Sequence, residues 1–162
     1  MLGLKIHKLP KLKNPNMIVA LPDMGNVAGI GVDFVVKKLK AKMFAELYAF
    51  WPPAVSYEGG LVKYNQSSYK FHYSEKENLI IFSGEFNPSD PRRLYEICYE
   101  VVDMAKKLKV GTLFSIGAAL RQPSPKEPKI FGATTSAKLL NLLKKQNITL
   151  LDGKGQITGF NG

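Results

Sequence analysis

The sequence predicts an α/β fold around a mixed, mainly parallel central sheet, and three observations point to it. First, Met17 to Leu21 is a continuous apolar run of strand length that leads through Pro22 and a glycine-bearing turn into a helical pattern. Such a run suits a strand buried on both faces. Second, Leu94 to Leu108 repeats apolar residues at helical spacing, and the apolar run Thr112 to Leu120 follows at once. Third, the same helix-then-strand order returns with Leu139 to Leu143 and Ile148 to Leu151. Alternation of this kind marks strands joined by crossover helices.

Taken in order, the chain opens on a basic arm carrying Lys5, Lys8, Lys11 and Lys13. Pro22 ends the first apolar strand. Asn26 is placed to cap a helix running to about Lys40, with Val27, Ile30, Phe34, Val35 and Leu39 returning at helical spacing. Strand, turn and helix together form the first half of a βαβ unit. The turn presents backbone N–H groups and a helix N-terminus at the carboxyl edge of the sheet, where open α/β folds place their binding crevice. Gly25, Gly29 and Gly31 read Gly-x-x-x-Gly-x-Gly, which matches neither the dinucleotide pattern nor a Walker loop. Gly25 then supplies a tight turn, and Gly29 and Gly31 let the helix approach the sheet closely. A phosphate cradle is the alternative.

Met43 to Tyr48 reads as the next strand, ended by Trp51-Pro52-Pro53. Beyond it, Tyr69, Phe71 and Tyr73 alternate with Lys70 and His72, the period of a strand with one buried and one wet face. A turn at Glu75 to Asn78 and a strand from Leu79 to Phe86 complete an irregular, antiparallel stretch that starts near Tyr57.

Asp90 caps and Pro91 opens a second helix, whose stripe is Leu94, Ile97, Cys98, Val101, Val102, Ala105 and Leu108. Thr112 to Leu120 reads as a core strand running into a proline-rich, charged loop, Arg121 to Thr135. Thr135 or Ser136 caps a third helix ending at Gln146, and Ile148 to Leu151 is a short strand. The chain closes on Gly155-Gln-Ile-Thr-Gly-Phe-Asn-Gly162, with Asn161 at a helix-capping position.

A chain of 162 residues, 45% hydrophobic, suits a single α/β domain over 1–162, its glycine-rich ending suggesting a C-terminal helical extension that is lacking. A domain of this size buries about 70% of its unfolded surface. The lone Cys98 forms no internal disulfide, as befits a reducing, cytoplasmic setting. No stretch approaches the ~20 apolar residues of a membrane helix, and the N-terminus lacks the apolar region of a signal peptide. The formal net charge is +10, but many of its lysines gather at helix C-termini (Lys37, Lys38, Lys40, Lys42, Lys106, Lys107, Lys109, Lys144, Lys145), where the helix dipole favours cations.

The inventory of reactive groups is sparse. His7 and His72 lie far apart in sequence, Ser115 lies outside any Gly-x-Ser-x-Gly elbow, and Cys98 falls within an apolar stripe. No catalytic, metal or cofactor residues are assigned. The candidate crevice comprises Asp23, Gly25, Asn26, Gly29, Gly117, Arg121, Gly132 and Thr134. There Asp23 and Arg121 either bind an anion or form a solvated pair. Lys63, Lys70 and Lys76 interleave with Tyr64, Tyr69, Phe71 and Tyr73 as a base-stacking surface would require. Alternation sends those aromatics and lysines to opposite sides, and no nucleic-acid motif is present, so specific nucleic-acid binding is not expected. Phe50, Trp51 and Tyr57 form the candidate protein interface.

Four segments, in order, carry a family resemblance: Val19-Ala-Leu-Pro-Asp-Met-Gly-Asn-Val-Ala-Gly29, Lys42-Met-Phe-Ala-Glu-Leu-Tyr48 with Pro52-Pro53, Ile130-Phe-Gly-Ala-Thr134 and Gly155 to Gly162. Together they resemble the archaeal branch of the proteasome assembly chaperone 2 family over nearly the whole chain. The resemblance implies a three-layer α/β/α sandwich of phosphorylase/hydrolase-like kind, homo-oligomers, and ATP-independent binding of 20S proteasome α-subunits during ring assembly. It also implies docking through a C-terminal tail of a hydrophobic residue, a tyrosine and any residue, where this chain reads Phe160-Asn161-Gly162. A small-molecule-binding protein or hydrolase/phosphorylase-like enzyme using the crevice is the alternative function.

Overall fold

The computed structural model describes residues 2–49, 55–64, 67–118, 129–151 and 153–162. The chain divides into two compact units, one of residues 1–119 with 158–162, the other of residues 120–157.

Unit 1 is built on a six-stranded sheet of β1 (Leu2–Ile6), β3 (Lys42–Ala49), β6 (Ser67–Ser74), β7 (Leu79–Gly84), β2 (Asn16–Val19) and β8 (Thr112–Ser115), in that spatial order. The β1–β3, β3–β6 and β6–β7 pairs are antiparallel, whereas β2 runs parallel to both β7 and β8. The mainly parallel sheet expected from the sequence is therefore corrected to a mixed one in which antiparallel pairs are the majority. Two helices belong to this unit, α1 (Val27–Lys38) and α2 (Pro91–Lys107). β3 does not return beside β2, so strand, helix and next strand form no βαβ unit there. The parallel crossover in this unit is β7–α2–β8, which spans β2.

Successive residues of a strand face opposite ways, and the two faces hold different cores. Met17, Val19, Ile80 and Phe82 point to one side, where they meet Ile97, Val101 and Met104 of α2 and the buried Phe160. Ala20 and Ile81 point to the other, against Ala28 and Val32 of α1. One helix thus lies on each face of the sheet. As the alternation predicts, Tyr69 and Phe71 on β6 are fully buried, Phe71 packing on Phe82 with ring centroids 4.7 Å apart. They serve the core and leave no stacking platform on that strand.

Four expectations change. The stretch read as a basic arm contains β1, an edge strand paired with β3 from Leu2 opposite Ala49 to Ile6 opposite Ala45. β8 is also an edge strand and not a core strand, and Leu113 and Phe114 on it are exposed. On α1 the stripe Val27, Ile30 and Phe34 faces outward, because Ala28 and Val32 supply the contact with the sheet. Gly29 is no close-approach residue either: a Cβ there would meet Asn26 Oδ1 at 2.1 Å, whereas one at Gly31 would meet nothing within 4 Å.

A separate hairpin, β4 (Val55–Glu58) and β5 (Leu61–Tyr64), pairs antiparallel in unit 1. Unit 2 holds β9 (Phe131–Gly132), α3 (Ala137–Lys145) and β10 (Thr149–Leu150), with β9 and β10 parallel. It is a βαβ unit in miniature. Gly132 is required there, since a Cβ would lie 2.9 Å from Ile148 Cγ2 and 3.3 Å from Leu143 Cδ1.

Candidate functional site

The turn after β2 is shaped by two left-handed residues, Gly25 at φ +67° and Asn26 at φ +52°. Gly25 makes the tight turn the sequence suggests. Asn26 precedes α1 but gives it no side-chain cap. Asp23 does that work instead: its Oδ1 accepts the backbone N–H of Ala28 at 3.1 Å, and its carbonyl accepts the N–H of Asn26 at 2.9 Å. The other carboxylate oxygen, Oδ2, accepts the backbone N–H of Ala118, just beyond β8.

The segment after β8 also meets the chain's last residues. Ile116 N–H donates to the Val19 carbonyl at 3.1 Å, extending the β2–β8 pairing. Ser115 Oγ donates to the Asn161 carbonyl at 3.1 Å, and the Asn161 amide packs where a Cβ on Gly117 would otherwise lie, 2.6 Å from its Nδ2. Phe160 is buried beside Phe82, centroids 5.7 Å apart. Asp23, Gly25, Asn26, Gly29 and Gly117 thus all belong to unit 1. Gly132 and Thr134 belong to unit 2, where Thr134 Oγ1 accepts the N–H of Ser136 at 3.2 Å, a local turn before α3. Arg121 lies outside the described residues, as do Phe50 and Trp51 of the candidate interface.

This geometry decides what the turn can do. A helix N-terminus attracts anions because its first N–H groups lack partners. Here one such donor is already met by a carboxylate of the same chain. Asp23 is the resident anion, and it clamps the start of α1 to the end of β8. Among the described residues no group of three or more His, Cys, Asp or Glu is placed to hold a metal ion.

Among the described residues, Cys98, His7 and His72 are each partly occupied or shielded. Cys98 borders an apolar recess of about 210 Å³ with Val101, Leu113 and Phe160, and burial pushes its thiol pKa up, away from the thiolate a nucleophile needs. That volume is below the roughly 300 Å³ at which small-molecule pockets begin. His7 Nε2 lies 3.1 Å from Glu46 Oε2, which also accepts the Tyr48 hydroxyl at 2.7 Å. The Tyr48 bond, together with His7, holds the Glu46 carboxyl below its usual range. His72 is half-buried on β6, with Nδ1 unpartnered among the described residues. Burial and Lys70 push its pKa down, opposed by Asp33 on α1.

A family model described as the PAC2 family matches residues 17–162. The chain belongs to the PAC2 family. An uncharacterized protein of Methanocaldococcus jannaschii is 26% identical over 160 residues, covering 98% of this chain and 62% of the relative, so the chain spans under two thirds of that relative's length. Among solved structures, Pyrococcus furiosus PbaB, an archaeal proteasome activator, is similar with a TM-score of 0.80 at 21% identity, over 98% of this chain and 71% of that one. Pyrococcus furiosus PbaA, an archaeal homolog of proteasome-assembly chaperone, gives 0.69 at 23% identity, over 99% and 67%. These likenesses establish a shared PAC2 fold.

Sequence reasoning placed Asp23, Gly117 and the first glycine turn at one edge of the sheet. It missed the Ala118 amide and Asn161 as their partners, because a backbone donor leaves no mark on residue type. It also missed the outward faces of the β4–β5 hairpin and α1. For the hairpin a signal existed: Val55-Ser-Tyr57-Glu and Leu61-Val62-Lys-Tyr64 both alternate.

Proposed function

We propose that this chain is a proteasome assembly chaperone-like protein that binds 20S proteasome α-subunits without ATP and self-associates in the cytoplasm of an archaeon. The single observation that carries it is a contrast between two surfaces. The crevice that could hold a small anion is closed by the chain's own Asp23, while uncharged apolar faces on the β4–β5 hairpin and on α1 stand open. Such a surface suits protein partners, whose contact cores are enriched in aromatic residues and methionine and depleted in charge. Family membership and the likeness to PbaA and PbaB support a proteasomal partner. The same reading treats the helix on each face of the sheet as the three-layer arrangement of phosphorylase/hydrolase-like proteins.

A pull-down of isolated α-subunits by the tagged chain, run beside light scattering of the chain alone, tests it. Capture of α-subunits and a mass above one chain are expected. A monomer that ignores α-subunits yet turns over a nucleoside or small ester overturns the proposal in favour of an enzyme.

A further inference from the structure

The β4–β5 hairpin has one apolar face and one polar face. Val55 pairs with Tyr64 and Tyr57 with Val62, and residues two apart on a strand share a side, so these four side chains lie together. They are 52–86% exposed. The reverse face carries Ser56, Lys63 and Glu58 with Leu61, and Lys63 and Glu58 form an ion pair. Two strands of four residues are marginal alone in water, so the apolar face calls for a cover.

The body of unit 1 offers a second uncovered surface of different shape. Val27, Ile30 and Phe34 follow one another at helical spacing along one side of α1, 59–62% exposed, and Met24 in the turn before it is 55% exposed. None of the eight side chains on the two faces is charged, and the nearest cation to the helix face is Lys38, whose Nζ lies 5.6 Å from the Phe34 ring centroid at its far end. Every chain carries one hairpin face and one helix face.

We propose that the hairpin face of one copy seats on the α1 stripe of the next. This rests on the self-association in the proposed function and names its surfaces. Burying both faces removes on the order of 1,000 Å², counting aromatic side chains at roughly 150–250 Å² when fully buried, which reaches the lower bound for a specific interface. Hairpin-on-hairpin pairing leaves the α1 stripe bare, whereas head-to-tail seating covers both. Because the two patches differ, the contact is either exchanged reciprocally in a two-fold dimer or repeats from copy to copy until a ring closes.

Complementation tests this. A hairpin variant, Tyr57→Glu with Tyr64→Glu, and a helix variant, Ile30→Glu with Phe34→Glu, are each expected to be monomeric by light scattering, with unchanged circular dichroism and thermal midpoint. Mixed in equal amounts they are expected to form dimers of one of each, since one intact hairpin then meets one intact helix. A helix variant that stays oligomeric while the hairpin variant does not overturns the proposal in favour of hairpin-on-hairpin pairing. Mixtures that stay monomeric also overturn it, as do variants that remain oligomeric but lose α-subunit capture. A monomeric wild-type chain removes the self-association itself, a distinct result. Should the glutamate helix variant unfold, Val27→Ser with Ile30→Ser serves in its place.

Discussion

Asp23 accepts a hydrogen bond from the backbone of Ala118, a residue 95 positions later in the chain, while its other oxygen holds Ala28 at the start of α1. One side chain therefore ties the first turn of unit 1 to the last strand of its sheet. Asp23→Ala strands both donors and is expected to cost about 2–3 kcal/mol, since bonds to a charged acceptor contribute more than neutral ones. Asp23→Asn keeps one acceptor and is expected to cost about half as much. Urea denaturation reads the difference. Faster amide exchange at Ala28 and Ala118 together, and not elsewhere, identifies the clamp as its source.

The glycines of unit 1 divide sharply in their tolerance. At Gly84 a Cβ would sit 2.1 Å from Tyr69 Cδ1, in a fully buried ring, and 2.9 Å from Leu21 Cδ2. Gly84→Ala is expected to destabilise by about 1–3 kcal/mol through overpacking. At Gly29 the nearest atom is the end of the exposed Asn26 side chain, which is free to swing away. Gly29→Ala is thus expected to be neutral or to stabilise by up to about 1 kcal/mol through helix propensity. Thermal unfolding of the two variants side by side checks the contrast.

His72 makes stability depend on pH near neutrality. Its folded pKa lies below the ordinary value because burial and Lys70 disfavour the cation, with Asp33 opposing. As pH falls through about 6.5 the unfolded chain takes up a proton before the folded one does, so stability declines. Above that range the group has no effect. Urea midpoints measured on either side of about 6.5 are expected to drop toward acid in the wild type. His72→Gln is expected to flatten that slope.

Phe160 packs on Phe82 at a site almost wholly closed to solvent. Phe160→Ala removes a ring from the α2 side of the core and is expected to cost about 3 kcal/mol. Phe34→Ala, on the exposed stripe of α1, is expected to change stability by no more than about 0.5 kcal/mol. Denaturation of both variants tests whether the chain's last residues belong to the core.

The elements readable in advance were those whose pattern and punctuation agreed. Asp90 and Pro91 open α2 as expected, with Asp90 Oδ1 accepting the N–H of Arg92 at 3.0 Å, and the β6 alternation buries Tyr69 and Phe71. Strand direction was not readable, since a residue pattern is the same whichever way the strand runs. That is how a sheet with mostly antiparallel pairs was expected to be mainly parallel. The alternation Leu2, Leu4, Ile6 marked β1 but was obscured by lysines. At the candidate site, residue type revealed Asp23, while its partners were backbone groups that only the folded chain brings near. On α1 the large apolar residues drew attention to the wrong face, because small Ala28 and Val32 are what let a helix lie against the sheet.

Unit 1 takes residues 158–162 from beyond the whole of unit 2 in the chain, and Phe160 is among them. On a ribosome that order has a cost in time. The sheet can assemble once β8 has emerged, but its α2 side stays open at the Phe82 ring until about forty more residues have been made, at a synthesis rate of roughly 5–20 residues per second. For those seconds the nascent protein presents a greasy notch that Phe160 later fills.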